Sequence, residues 1–228
     1  MSATGITDSP SVAAREVRVW ELPVRIVHWV IFFCVIVLSV TGFYIGRPFL
    51  LTGSDPAFVM GWVRSVHMLA AWIMIAAVVA RIIWAFTGNQ WSRWDQFIPR
   101  DRERRRGGRE ALKYYLFLRR DPPGEIGHNP LAGLTYMVLY IMFLVQIILG
   151  LALHGLDEPG GVVSSLTGWV FSLGSIPAVR LIHHLIMWLT WGFVVHHVYS
   201  AVLVDSAERT GIISSIFTGR KSVSEDQP

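Results

Sequence analysis

Four apolar runs, at about 26–45, 64–86, 131–153 and 181–204, account for about two fifths of this 228-residue chain. Each is near the ~20 residues that a helix needs to cross a hydrocarbon core of about 30 Å. With 53% hydrophobic residues, ten Trp and a mean hydropathy of +0.47, the chain reads as a membrane protein. The expected fold is all-α, a transmembrane four-helix bundle. Its boundaries are a tail over 1–22, a bundle over 23–204 with a polar insert at 87–130, and a second tail over 205–228.

Charge distribution orients the bundle. Of the 20 Lys and Arg, all except Arg47, Arg64, Arg81 and Arg180 fall within 1–25, the insert 87–130 and the tail 205–228. By the positive-inside rule both termini and the insert are expected in the cytoplasm, with the lean loops 46–65 and 155–180 on the other face. Met1 to Leu22 is polar and irregular, with no cleavable signal pattern, so the first span is expected to act as its own insertion signal. The insert carries RDRERRRGGR and then EALKYYLFLRR. Between two spans, such a run fits an anchor on anionic membrane lipid, followed by an interfacial amphipathic helix, and not a nucleic-acid site. The first 17 residues have the composition of a mobile tail, and 155–179 has room for a short surface helix.

Histidines supply the chemistry. The fourth run holds His183, His184, His196 and His197, and ionisable groups inside a span point to a functional site. At about 100° and 1.5 Å per residue, the 14-residue step from His183 to His197 returns to within roughly 40° of one face and rises about 21 Å. The 12- and 13-residue alternatives fall on separate faces. With alternating helix direction, His28 lies level with His197, and His67 lies level with His183. Two bis-histidine sites at two depths are what two haem b groups need, because neutral imidazole is an axial ligand of haem iron. The single cysteine, Cys34, excludes a disulfide, a cysteine-ligated cluster and a CxxCH attachment, so the haem is expected to be held noncovalently. Cys34 itself reads as a small buried hydrophobe.

Other residues near these levels have two readings each. Gly42, 14 residues after His28, could give the second haem room or simply serve helix packing. Arg81, 14 residues after His67, could pair with a haem propionate or snorkel to lipid phosphate. Arg25 and His184 are placed for haem contacts, Arg25 also for headgroups. His128 and Asn129, at the mouth of the third span, could offer donors to a quinone, or Asn129 and Pro130 could be a helix cap and first turn.

The motifs RIVHWVIFFCVIVLSVTG, VRSVHMLAAW, RIIWAFTGN, IGHNPLAG and RLIHHLIMWLTWGFVVHHVY, in this order from Trp20 to Lys221, resemble the b-type cytochrome subunit of membrane-bound nickel-iron hydrogenases. The resemblance implies a bacterial inner-membrane cytochrome. It would anchor the hydrogenase's iron-sulfur small subunit and nickel-iron large subunit and pass their electrons to quinone. It places the haem ligands on His28, His67, His183 and His197. No site for activating H2 is expected in this chain, which lacks the cysteines. Rival readings are a formate dehydrogenase cytochrome subunit, a stand-alone quinol-oxidising cytochrome b561, a histidine-relay proton or metal transporter, and a purely structural anchor.

Overall fold

The computed structural model describes residues 14–48, 56–121, 127 and 129–224. Four helices are long and apolar enough to cross a membrane: α1 (Leu22–Gly46), α2 (Pro56–Thr87), α4 (Pro130–Gly155) and α7 (Ile176–Glu208). Between them lie α3 (Arg102–Tyr115) in the insert, and α5 (Val162–Thr167) and α6 (Val170–Leu173) in the last loop. After α7 come α8 (Ile212–Thr218) and the strand β2 (Arg220–Ser224), which pairs with β1 (Ala14–Arg18). The chain is an integral membrane four-helix bundle.

Local chemistry starts these helices. Pro23, Pro130 and Pro177 occupy first-turn positions, where no intrahelical N–H is needed. The Asn129 side chain accepts from the Ala132 N–H at 2.8 Å, and Asp101 caps α3 by accepting from Arg104 N–H at 2.7 Å. All four long helices outrun the apolar stretches in the sequence. The start of α7 at Ser175 and Pro177 illustrates the reason: helix ends follow caps, whereas apolar runs follow the lipid.

Packing is tightest between α1 and α2, while α4 packs on α7. One apolar cluster, Ile31 and Cys34 from α1, Met74, Ala77 and Val78 from α2, and Phe143 from α4, joins the two pairs at mid-depth. A second, Leu149, Ala152, Val170, Val179 and Ile186, closes the end under α6. Large apolar side chains such as Phe33, Val40, Leu69, Ile83, Ile141, Trp188 and Val195 remain exposed around the outside. That pattern suits lipid, because a helix that is apolar on every side has no need of water.

The end bearing both termini is knitted together. β1 and β2 form an antiparallel ribbon with Ala14 opposite Ser224 and Arg18 opposite Arg220. Residues 14–18 are therefore ordered, contrary to the expected tail; residues 1–13 lie outside the described part. The ribbon joins segments some 200 residues apart and its strands are short and polar, so local periodicity carries little sign of it. Lys221 is buried in it, and burial pushes its ammonium below the ordinary lysine value while Glu208 and Asp205 pull the other way.

Glu21 ties this cap to α2 by accepting from Trp84 Nε1 at 2.9 Å and from the Asn89 N–H at 2.8 Å. Glu21→Ala leaves both donors unpaired and is expected to cost about 2 kcal/mol. A lower thermal denaturation midpoint in detergent, followed by tryptophan fluorescence, checks this.

The insert departs from expectation in its start. The basic run is itself helical, because Asp101 caps α3 and Arg and Glu are good helix formers. Glu110 is held below the usual carboxylate range by Arg119 and Arg106. α3 rests on the start of α4, with Tyr115 Oη accepting from Asn129 Nδ2 at 3.3 Å.

Candidate haem sites between the helices

Near the end that carries both termini, His28 of α1 faces His197 of α7 with ring centres 6.3 Å apart. Two imidazoles on opposite sides of one metal, each bonded at about 2 Å, have ring centres about 6 Å apart. The observed separation therefore fits two rings on opposite sides of one iron. Phe193 stacks on His197 at 5.6 Å and 9°, and Trp29 meets His28 edge-on at 5.2 Å, so aromatic walls limit how far either ring can turn. Tyr136 Oη lies 3.2 Å from His197 Nδ1. His28 Nδ1 is buried without a hydrogen-bond partner among the described residues.

At the opposite end, His67 of α2 and His183 of α7 line one cavity of about 890 Å³, counting its open part. Its walls are Val35 and Leu38 of α1, Met68 and Met74 of α2, Phe143 and Ile147 of α4, and Met187 of α7, among others. A mostly apolar chamber with two imidazoles suits a flat macrocycle that takes two axial ligands. Thr41 Oγ1 lies 2.8 Å from His67 Nδ1. His183 Nδ1 is buried, with the backbone of Gln146 of α4 beside it.

Two glycines make room for these rings. A Cβ on Gly42 would lie 3.5 Å from His67 Cε1, and one on Gly150 would lie 3.1 Å from His183 Cε1. Gly42 thus clears the histidine ring at its own level. Gly150→Val is expected to lower haem affinity at this site by about 10–100-fold, the range found for residues that orient a ligand. Gly192→Ala, on the same helix as His183 with nothing within 4 Å, should be silent. Titration of each variant with hemin checks the pair.

The remaining residues singled out in the sequence have definite places. Arg81 is buried, donates from Nη2 to the Ser92 carbonyl at 3.1 Å, and lies over the Phe97 ring at 5.1 Å, so the insert takes up its guanidinium. Arg25 lies across the bend at Gly219. His184 lines the same cavity as His67 and His183; its Nδ1 donates to the Arg180 carbonyl at 3.1 Å and its Nε2 lies against Gly46 of α1. Asn129 is a cap whose amide nitrogen reaches Tyr115. His128 lies outside the described residues. His196 is exposed, with Nε2 3.5 Å from Ser200 Oγ.

Among the described residues no three His, Cys, Asp or Glu side chains are grouped so as to hold a metal ion by themselves. Each pair therefore offers two ligands, which matches an iron whose four other positions a porphyrin fills. Thr41, Tyr136 and Gly150 carry no local signal of their roles, which arise only once the helices are packed.

Imidazoles facing each other within a transmembrane helical bundle, in a chain that cannot attach haem through cysteines, define a membrane cytochrome of the b type. The chain belongs to the prokaryotic cytochrome b561 family, whose model matches residues 19–219. It is 38% identical to a probable Ni/Fe-hydrogenase B-type cytochrome subunit of Bradyrhizobium diazoefficiens, over 92% of this chain and 88% of the relative. Proteins of the same description are 36% identical in Rhodobacter capsulatus, over 96% and 87% of the two chains, and 34% identical in Escherichia coli K12, named for hydrogenase 1, over 90% of each. Membership implies haem b as the prosthetic group, and the facing histidines fit it.

Proposed function

We propose that this chain is the dihaem cytochrome subunit of a nickel-iron hydrogenase. It would anchor the iron-sulfur small subunit and the nickel-iron large subunit to the bacterial inner membrane and carry their electrons to quinone. The observation that carries this reading is the sharing of α7. One face of one helix offers His197 toward His28 and, about 21 Å further along its axis, His183 into the cavity that His67 also lines. The names of the relatives support the hydrogenase as donor.

Haem b supplies one-electron exchange at each site. His67 and His183 would hold the outer group, and His28 and His197 the inner one. The apolar cluster of Ile31, Cys34, Met74, Val78 and Phe143 between the two levels keeps water out of the path. Tyr136 sits against the imidazole of His197 and restricts it. Electrons enter on the side of His67 and His183, the periplasmic side in the orientation set by the charges, and leave on the side of His28 and His197. There Asn129, with His128, would meet the quinone carbonyls and the cytoplasm would supply protons. In that orientation β1, β2 and α3 would lie on the cytoplasmic side.

The test is copurification followed by turnover. A tag on this chain should bring down a large and a small hydrogenase subunit, and membranes containing them should reduce quinone with H2. Recovery of a formate dehydrogenase, or of the cytochrome alone with H2-dependent quinone reduction unchanged in its absence, would overturn the assignment.

A further inference from the structure

We infer that Thr41 of α1 is a positioning residue for the outer haem: it fixes which nitrogen of His67 faces the iron and raises the ferric preference of that site. The inference rests on His67 being a haem ligand, as proposed above. The Thr41 hydroxyl donates to the Val37 carbonyl at 2.6 Å, with the Leu38 carbonyl further off at 3.3 Å. A hydroxyl has one proton, and two oxygens at 2.6 Å repel unless that proton lies between them. The contact at 2.8 Å between Thr41 Oγ1 and His67 Nδ1 must then run the other way, with Nδ1–H donating to the threonine oxygen. A neutral imidazole protonated on Nδ1 carries its lone pair on Nε2, the nitrogen left for a metal.

The surroundings hold this arrangement. Thr41 is buried, and Gly42, the next residue, leaves the His67 ring room to lie against α1. One helix of the tightly packed α1 and α2 pair thus orients the ligand carried by the other. An acceptor on the far nitrogen raises the donor strength of an imidazole, which favours the more positive iron. Of the four histidines, His67 is the one whose Nδ1 Thr41 reaches.

The experiment compares Thr41→Val, which keeps the shape and removes the oxygen, with Thr41→Ser, which keeps the oxygen and drops the methyl. Midpoint potentials and low-spin ferric electron paramagnetic resonance spectra are recorded on the purified holoprotein, with haem quantified per chain. Thr41→Val should shift the ferric-to-ferrous preference of the outer haem about tenfold toward ferrous, a rise of about 59 mV for one electron, and should change its g values. Thr41→Ser should stay close to the parent protein. If Thr41→Val releases the outer haem while Thr41→Ser retains it, the role of the oxygen is supported. Unchanged potential and g values in Thr41→Val with both haems bound, or identical effects in both variants, would overturn it. His67→Ala separates the two levels of the argument: retention of both haems there refutes the ligand assignment, whatever the threonine variants do.

Discussion

His183→Ala is expected to yield a folded cytochrome with about one haem b where the parent is expected to hold two, and to reduce H2-dependent quinone reduction to background. The imidazole of His183 lines the outer cavity together with that of His67, and Gly150 is set back to receive its ring. Without it an outer haem iron would have a single protein ligand, and His184 is poorly placed to replace it. The Nδ1 of His184 is committed to the Arg180 carbonyl, and its Nε2 is turned toward Gly46 of α1. His184→Ala should therefore retain both haems. Pyridine haemochrome quantification of the two variants, side by side, decides whether the first or second histidine of the pair is the ligand. The chain should still insert and pack, because the mid-depth cluster from Ile31 to Phe143 does not include His183.

His197→Ala should give the complementary phenotype. His28 then faces an alanine, and Tyr136 and Phe193 lose the ring they hold. The inner haem should be lost, the outer one should remain reducible by H2 through the hydrogenase, and quinone reduction should stop. The neighbouring His196 cannot take over, since it is exposed and turned to Ser200. An outer haem that stays reducible without quinone turnover separates the two sites by order in the path, which haem loss alone would not do. Stopped-flow reduction by H2-saturated buffer, monitored at the haem bands, measures the first part. Quinol formation measures the second.

The four spans were legible because an apolar run of 20 residues has few alternatives, and the spacing of His183 and His197 follows from 3.6 residues per turn. Which helices face one another was legible only through alternation of direction. The rotation of each helix about its axis was not, and it decides the second contacts. Thr41 could be seen to lie near the level of His67, but the hydrogen bond between them depends on the close packing of α1 on α2. Tyr136 and Gly150 sit in a third span with no internal histidine to mark its face, so nothing local linked them to His197 and His183. The β1 and β2 ribbon was missed for a different reason, its pairing being long-range between polar strands. Arg81 shows the limit of a helical-face argument. Spacing placed it on the face of His67, but the segment after α2 folds back so that the Ser92 carbonyl and the Phe97 ring receive its guanidinium.

Haem content per polypeptide, measured together with the ligand signature in the oxidised protein, tests most directly whether four imidazoles grip two irons. The expected result is two noncovalent haem b groups per chain, both low-spin with two histidines each, falling to one in each single His28, His67, His183 or His197 variant. Fewer than two in the parent protein, or two retained after the removal of any one of these four side chains, would contradict it.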